Sequence, residues 1–196
     1  MKKGEKRKLE LLQIAYRMFI SKGYENTSVD EIIEEAGIAK GTYYYHFTSK
    51  EQMLEEVIGM MIEKEAEAAR GIVESKIPVP QKIAGVIMSL RPTPEETSIE
   101  GELFRPENIF MHEKVKKKVM ETAIPLLSEV VEEGKREGCF SCDDVSTRVK
   151  FILLISNAIF DEGNYEESDI SVFIDTSEKL LGAKEGTMGF VRDLIR

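Results

Sequence analysis

Two short amphipathic segments separated by a glycine constrain the fold of this chain more than any other feature. They lie within residues 27–50 on either side of Gly37, and the second is predicted to form a helix over residues 39–47. Two helices of this length joined through a glycine turn form a helix-turn-helix, here about residues 28–47. The second helix of such a motif can pack one face on its own domain and offer the other to the major groove of DNA.

Start and end signals support this interpretation. Gly23 is placed to end a first helix whose apolar residues recur at helical spacing. The second helix opens with a capping box that pairs either Ser28 with Glu31 or Thr27 with Asp30. The sequence therefore predicts three short helices before residue 48.

Helical periodicity continues through the rest of the chain. A further capping box, Thr48 with Glu51, begins a long fourth helix that is predicted to reach about residue 74. Later helices are predicted over residues 80–90, 106–111, 113–137 (kinked or interrupted at Pro125), 145–161 and 168–181. Residues 91–101 are predicted to be loop and residues 138–144 a turn. Since no strand pair or internal repeat is found, we expect an all-α fold of about nine helices.

Charge is unevenly distributed along the chain. The whole sequence has a net charge of -9, but residues 1–50 contain nine Lys and Arg against seven Asp and Glu, a balance of +2. Because DNA affinity depends on neutralising phosphates, contact with a duplex must be local to the N-terminal part. We expect a three-helix DNA-binding domain over residues 5–52 and a helical ligand-sensing and dimerisation domain over residues 53–196.

The third helix divides into a buried and an exposed side. Tyr43 and Phe47, four residues apart, are predicted to face inward, with Ile32, Ile33 and Ile38 as neighbours. Polar groups and helix amino ends, where amides and the helix dipole favour phosphate, make up the predicted DNA-contacting set. Its members are Lys40, Gly41, Thr42, His46, the hydroxyl groups of Tyr44 and Tyr45, and the helix amino ends at Thr27-Ser28 and at Thr48-Ser49-Lys50.

Residues 5 to about 60 resemble the DNA-binding domain of the tetracycline-repressor (TetR/AcrR-like) family of bacterial and archaeal regulators. The resemblance is carried, without gaps, by Ala15, Phe19, Gly23, Tyr24, Thr27, Ser28, Val29, Ile32, Ala36, Gly37, Lys40, Gly41, Thr42, Tyr44, Phe47, Lys50, Glu51 and Leu54. One departure is Tyr43, where the family usually has Leu. The resemblance implies a homodimeric, all-α repressor with a variable ligand-sensing domain. By position, it assigns DNA contact to nine residues: Thr27, Ser28, Lys40, Gly41, Thr42, Tyr44, Tyr45, His46 and Lys50.

A two-fold partner would double the length of DNA that one short helix can read, which predicts a homodimer on a palindromic operator. The last two predicted helices carry more apolar residues than one domain easily buries, and two such pairs would form a four-helix bundle. The predicted dimer residues are Phe151, Leu154, Ile155, Ile159, Phe173, Ile174 and Leu180. The family resemblance suggests the same interface.

Four polar residues lie within or near apolar helical stretches: Arg105, Asn108, His112 and Asn157. They either line a ligand cavity or form satisfied hydrogen bonds in the core. A small-molecule effector of unknown identity is expected to shift the spacing of the two DNA-binding domains and to release DNA.

Cys139 and Cys142 have the spacing found in zinc and redox sites, which leaves a redox-responsive or metal-responsive regulator as the alternative. Two cysteines supply only half of a zinc ligand set, and no second pair is present. We expect Phe140 to be a buried anchor and the cysteines to be incidental, with no metal and no cofactor.

Other classes of protein are not favoured. The sequence contains no nucleophile, base and orienting set and no phosphate-binding loop, so we do not expect an enzyme. The basic N-terminus is followed by an amphipathic segment rather than an uninterrupted apolar one, and no apolar run is long enough to span a membrane. A cytoplasmic protein without membrane contact is therefore predicted.

Overall fold

The structure of the chain, a computed structural model, describes residues 3–91, 93, 96, 99, 101, 109–160 and 164–195. Within these residues the bounded elements are nine helices, and none is a strand. They are α1 (Lys3–Lys22), α2 (Val29–Glu35), α3 (Lys40–His46), α4 (Lys50–Val73), α5 (Val79–Ser89), α6 (Ile109–Arg136), α7 (Val145–Phe160), α8 (Glu167–Leu181) and α9 (Val191–Ile195). The predicted all-α class is confirmed. No helix in the described part is long and apolar enough to cross a membrane.

Two helices differ from the prediction. The long helix α6 continues through Pro125, so of the two predicted outcomes there, a kink or an interruption, the interruption is wrong. The short helix α9 was not predicted, because its five residues carry too little periodicity. Residues 109–111 of the helix predicted over 106–111 belong to α6, so the predicted break before residue 113 is wrong. Residues 99 and 101 of the predicted loop are helical, and residues 92, 94, 95, 97, 98, 100 and 106–108 of the two segments lie outside the described part.

The chain forms two compact units. One, the N-unit, contains Met1–Lys64 and Pro92–Lys117; the other, the C-unit, contains Glu65–Arg91 and Lys118–Arg196. Helices α4 and α6 therefore each contribute to both units. The predicted functional division after residue 52 stays a prediction.

The core of the N-unit takes one face from each of its first four helices. Its fully buried apolar and aromatic side chains include Leu11, Ala15, Phe19, Ile32, Tyr43, Phe47, Met53, Leu54 and Val57. The inward direction predicted for Tyr43 and Phe47 is confirmed. The Tyr43 hydroxyl donates to the Ser49 carbonyl oxygen at 3.4 Å, and burial raises the pKa of Tyr43 to about 12. A tyrosine is thus accommodated as a neutral, hydrogen-bonded core residue.

A second buried polar group joins α1 to the segment that follows α5. The Tyr16 hydroxyl donates to Oε1 of Glu96 at 2.8 Å, and the Thr93 amide donates to Oε2 at 2.9 Å. Burial raises the pKa of Glu96, but the bonds from Thr93 and Tyr16 more than offset this, and the pKa is lowered. Residues 93 and 96 therefore pack with the N-unit.

The start of α2 is fixed by the first of the two predicted capping boxes. Oγ of Ser28 accepts from the Glu31 amide at 3.2 Å, and the Glu31 carboxylate accepts from the Ser28 amide at 2.7 Å. The same carboxylate accepts from Nζ of Lys22 at 2.6 Å. These bonds, with the Lys22 bond first, lower the pKa of Glu31 to about 2.

The cap predicted for α4 is wrong by one residue. Since the helix begins at Lys50, its N-cap is Ser49, whose Oγ accepts from the Gln52 amide at 3.1 Å. Oε1 of Gln52 accepts in return from the Thr48 amide at 2.7 Å. Either a glutamine or a glutamate can accept this return bond in a capping box. The observed pair is therefore Ser49 with Gln52, and the predicted pair Thr48 with Glu51 lies one residue too early.

The turn between α6 and α7 is held by close backbone packing. Phe140 is buried against Gly134, where a Cβ atom would come within 2.5 Å of the ring. The Ser141 amide donates to the Leu181 carbonyl oxygen at 3.0 Å. Gly182, with φ of +60°, lies so close that a Cβ atom there would be 2.0 Å from the Ser141 carbonyl oxygen. Glycine is required at both positions, because a side chain there would collide with Phe140 or with the backbone of Ser141.

A buried lysine joins three helices within the C-unit. Nζ of Lys82 on α5 donates to the Val73 carbonyl oxygen at the end of α4, at 2.8 Å. It also lies 2.7 Å from both carboxylate oxygens of Glu133 on α6. All three donor positions of the ammonium group are used, so this buried charge is fully compensated.

Replacement of Glu31 by glutamine is expected to destabilise the protein in a pH-dependent way. The folded pKa of about 2 lies below the ordinary value of 4.5. The stabilisation from the carboxylate is therefore complete above pH 4.5 and is lost as the pH falls towards 2. The difference in unfolding free energy between the unsubstituted protein and Glu31→Gln, measured by urea unfolding, should be largest at pH 7 and should narrow by pH 3.

Glu34→Gln is the matched control, because Glu34 is exposed on the same helix. It should show no such narrowing. A Glu31→Gln difference that stays constant from pH 7 to pH 3 would contradict the hydrogen-bonding scheme at the start of α2.

Candidate nucleic-acid interface

Helix α3 exposes a continuous polar and aromatic side. Tyr44 is 49% exposed and Tyr45 is 81% exposed, although both rings are large. Lys40 and Gly41 are also exposed, and Thr42 and His46 are half-buried. Six of the nine predicted contact residues therefore lie on one helix, outside the face that Tyr43 and Phe47 bury.

Lys40 is held at the start of α3 by an ion pair. Its Nζ lies 2.9 Å from Oδ1 of Asp30 on α2, and this hydrogen bond is the first cause that raises the pKa of Lys40. Both side chains are largely exposed, so the pair contributes little to stability. A phosphate can therefore replace Asp30 as the partner of Lys40 at small cost.

Gly41 leaves open space above α3. A Cβ atom built on Gly41 would meet nothing within 4 Å outside its own helical turn. The packing of the protein therefore does not require glycine here, although glycine in a helix costs up to about 1 kcal/mol relative to alanine. An external surface that approaches the backbone would account for it.

The two exposed tyrosines are restrained through their rings. The ring of Tyr44 packs edge-on against Tyr43 with centroids 5.3 Å apart, and Tyr45 packs in the same way on His46 at 5.0 Å. Neither phenol hydroxyl is bonded to another described residue. Restrained aromatic rings with open hydroxyl groups suit contact with phosphate oxygens.

Lys50 is positioned at the first turn of α4 by an aromatic ring. Its Nζ lies 4.0 Å from the centroid of Tyr24, in a cation–π arrangement. Tyr24 is itself fixed in the core by an edge-on contact with Phe19 at 5.2 Å. The predicted cation at the amino end of α4 is therefore held in place, close to the peptide amides of that end.

The inclusion of Thr27 in the contact set is corrected by the structure. Its side chain is fully buried, and Oγ1 donates to the Gly23 carbonyl oxygen at 2.8 Å. A threonine just before the N-cap can serve the preceding helix instead of a phosphate, and here it ties the end of α1 to α2. Ser28 is exposed, but its hydroxyl and amide groups are already engaged with Glu31.

Carboxylates lie within the motif itself. Asp30 pairs with Lys40, and Glu31 pairs with Lys22. The pair of Asp30 with Lys40 was not predicted, because Asp30 was considered only as a possible capping residue. Lys22 and Lys40 are thus each paired with a carboxylate. Backbone amides, hydroxyl groups and helix dipoles therefore contribute a larger share of any contact with DNA phosphates.

The segment that carries this geometry matches a known family. Residues 11–57 match the family of bacterial regulatory proteins named tetR. Residues 11–57 thus form a TetR-family DNA-binding domain. The matched residues run from the middle of α1 into α4, and they include every residue of the proposed interface.

Relatives and solved structures agree with the family. The HTH-type transcriptional repressor KstR2 of Mycolicibacterium smegmatis is 29% identical over 151 residues, which are 74% of each chain. The repressor of the same name from Mycobacterium tuberculosis is 35% identical over 83 residues, or 42% of each chain. The crystal structure of RolR without ligand has a TM-score of 0.66 at 19% identity and covers 95% of each chain. RolR in complex with resorcinol has a TM-score of 0.64 at 20% identity, covering 98% of this chain and 94% of that one. At these identities the structures show a shared fold.

Two of the four residues predicted for a ligand pocket, His112 and Asn157, lie in the described part of the chain. Arg105 and Asn108 lie outside the described residues. His112 is half-buried on α6, and Nδ2 of Asn157 on α7 donates to the sulfur of Met120 at 3.6 Å. Asn157 therefore matches the alternative that was left open, a polar residue with a partner in the core.

The residues predicted for a dimer interface divide into two groups. Phe151 and Leu154 are 51% and 44% exposed on α7. Phe173 and Ile174 are instead buried in the core of the C-unit, where the Phe173 ring lies 5.2 Å from that of Phe160. This corrects their assignment, because a helix that carries apolar residues on two sides can bury one side within its own unit. The remaining members, Ile155, Ile159 and Leu180, are half-buried.

The cysteine pair shows no sign of special reactivity. Cys139 and Cys142 are free and half-buried, and burial raises the pKa of the Cys142 thiol. A raised pKa disfavours the thiolate that metal binding and redox chemistry need. Within the described residues no three His, Cys, Asp or Glu side chains are grouped to hold a metal ion. The prediction that Phe140 is a buried anchor is confirmed.

The structural role of Thr27 predicts that Thr27→Val destabilises the protein. Valine has nearly the same shape but cannot donate to the Gly23 carbonyl oxygen, and an unsatisfied buried acceptor costs roughly 1–3 kcal/mol. Urea unfolding at neutral pH measures the change. Thr42→Val on the half-exposed side of α3 is the control and should change the unfolding free energy by less than about 0.5 kcal/mol. Equal effects at both positions would refute the role assigned to Thr27.

Proposed function

We propose that the chain is a homodimeric repressor that binds a palindromic operator through the major groove and is released by a small-molecule effector. The observation that carries the proposal is the outward side of α3. Its polar and aromatic residues are exposed on a helix whose rotation is fixed by two buried rings. The family match covers the same residues, and the curated relatives named above are repressors.

On the DNA side, the proposed contacts differ in role. Lys40 reaches guanine acceptors or a phosphate, and Thr42 reaches a base edge or a thymine methyl group. Gly41 lets the backbone approach the groove. The remaining groups position the domain on phosphates, and they are Ser28, Tyr44, Tyr45, His46 and Lys50.

On the dimer side, the proposal uses the exposed apolar face of α7. Phe151 and Leu154 lie three residues apart on this face, so they are neighbours on the helix surface. Ile155, Ile159 and Leu180 are half-buried and gain burial if a second copy packs here. Pairing of α7 and α8 with the same helices of another copy forms a four-helix bundle.

Ligand control is the third part of the proposal. The solved structure of RolR in complex with resorcinol shows that a protein of this fold holds a small molecule. An effector acts if it binds better to one spacing of the two α3 helices than to the other. The spacing that fits successive major grooves is about 34 Å. Helix α4 runs unbroken from Lys50 to Val73, and we propose that it transmits the change. Because the target is DNA, we also propose a cytoplasmic location.

The phosphate contact of Lys40 is tested by salt dependence. Binding of the full chain to a 30-bp duplex is measured by fluorescence anisotropy at several salt concentrations. Lys40→Gln should weaken binding and lower the salt slope by about 0.9 for each lost phosphate contact, or about 1.8 per dimer. Lys184→Gln, at an exposed lysine of the C-unit, should leave the slope unchanged. Identical slopes for Lys40→Gln and the unsubstituted protein would remove this contact.

The dimer face is tested by a charge at its centre. Leu154→Asp should convert a dimer into a folded monomer, because an aspartate would have to be buried between the two copies without a partner. Sedimentation velocity measures the mass, and circular dichroism checks the fold. Met88→Asp, at an exposed apolar residue of α5, is the matched control and should remain dimeric. A dimeric Leu154→Asp protein, or a monomeric unsubstituted one, would contradict the interface.

A further inference from the structure

A cavity of about 100 Å³ lies within the C-unit. Each of the helices α5 to α9 contributes to its walls. Most lining side chains are aliphatic or aromatic, among them Ile83, Leu127, Val149, Ile152 and Phe173. Neither His112 nor Asn157, the two predicted pocket residues that the structure describes, is part of the lining.

The cavity is too large and too apolar to be filled well by water. A buried water needs roughly 10–15 Å³ of such space and two to four polar partners. The polar side chains of the lining are Arg91, Ser156 and Ser177. The Ser177 hydroxyl already donates to the Phe173 carbonyl oxygen at 2.8 Å. Several waters would therefore lack partners, whereas an apolar group of about the size of one ring would fill the space.

Arg91 gives the lining a single positive charge. It follows the end of α5, is exposed, and forms no ion pair within the described part of the chain. A guanidinium group stays charged at all ordinary pH values and binds a carboxylate through two parallel hydrogen bonds. The half-buried Ser156 hydroxyl, which has no partner among the described residues, is a second polar group of the lining.

The wall formed by the C-terminal segment is held in place before any ligand binds. The buried Glu178 carboxylate accepts from the amides of Gly186 and Met188 at 3.1 and 2.7 Å. The Tyr165 hydroxyl donates to the Ile195 carbonyl oxygen at 2.9 Å. Since Met188 and Ile195 both line the cavity, these bonds fix its shape. A fixed cavity reduces the entropy that a ligand would lose in ordering its site.

We infer that this cavity binds a small organic monoanion, with a single-ring apolar body among the aliphatic walls and a carboxylate on Arg91. Its role as the effector site rests on the proposed repressor function, but binding itself does not. The test therefore contains no DNA, so that failure of the site and failure of the repressor proposal are separate results.

Phenylacetate and its uncharged analogue 2-phenylethanol are titrated into the full chain by isothermal calorimetry. Phenylacetate should bind, and Arg91→Gln should weaken its binding about tenfold, because the charge-assisted hydrogen bonds to the carboxylate are lost. The same change should leave 2-phenylethanol unaffected. Arg136→Gln, at another exposed arginine of the C-unit, should alter neither affinity.

A second variant tests the apolar part of the cavity. Ser156→Leu places a larger apolar side chain in the lining and should abolish binding of both compounds without lowering the unfolding temperature. Three results would each overturn the inference: no binding of phenylacetate to the unsubstituted protein, equal affinity in Arg91→Gln, or full affinity in a folded Ser156→Leu protein. The Arg91 comparison decides alone if Ser156→Leu does not fold.

Discussion

The burial of Tyr43 and Phe47 beneath α3 is the constraint on which the proposed DNA-binding surface depends. The two rings lie one helical turn apart and are fully buried, so they fix the rotation of the helix about its axis. With that rotation set, Lys40, Tyr44 and Tyr45 must face outward. The hydroxyl of Tyr43, bonded to the backbone at Ser49, also ties α3 to the start of α4. One packing arrangement thus determines both what α3 presents and how it is connected.

A comparable division occurs on α7 in the C-unit. Its inner face, with Val149 and Ile152, lines the cavity, and its outer face carries Phe151 and Leu154. A ligand in the cavity and a second copy on the outer face would therefore contact the same helix from opposite sides. Packed helices shift as rigid bodies between discrete arrangements. If both proposals hold, α7 is where ligand occupancy and dimer geometry are linked.

Local signals in the sequence predicted much of this structure, and long-range packing supplied what they missed. Capping residues and helical periodicity placed most helices within two residues of their observed bounds, because both depend on groups only a few residues apart. The errors arise where a distant partner decides. Thr27 is buried against the end of α1, and Phe173 is buried within the C-unit. Likewise, no local pattern could locate a cavity whose walls come from five helices.

The central claim is that two copies of α3, related by two-fold symmetry, read DNA in successive major grooves. The most direct measurement is selection of binding sites from a pool of randomised duplexes with the full chain, followed by sequencing of the bound fraction. The account predicts a palindromic site whose half-site centres lie about 10–10.5 base pairs apart. Enrichment of a single unrepeated half-site, or of no sequence at all, would contradict it.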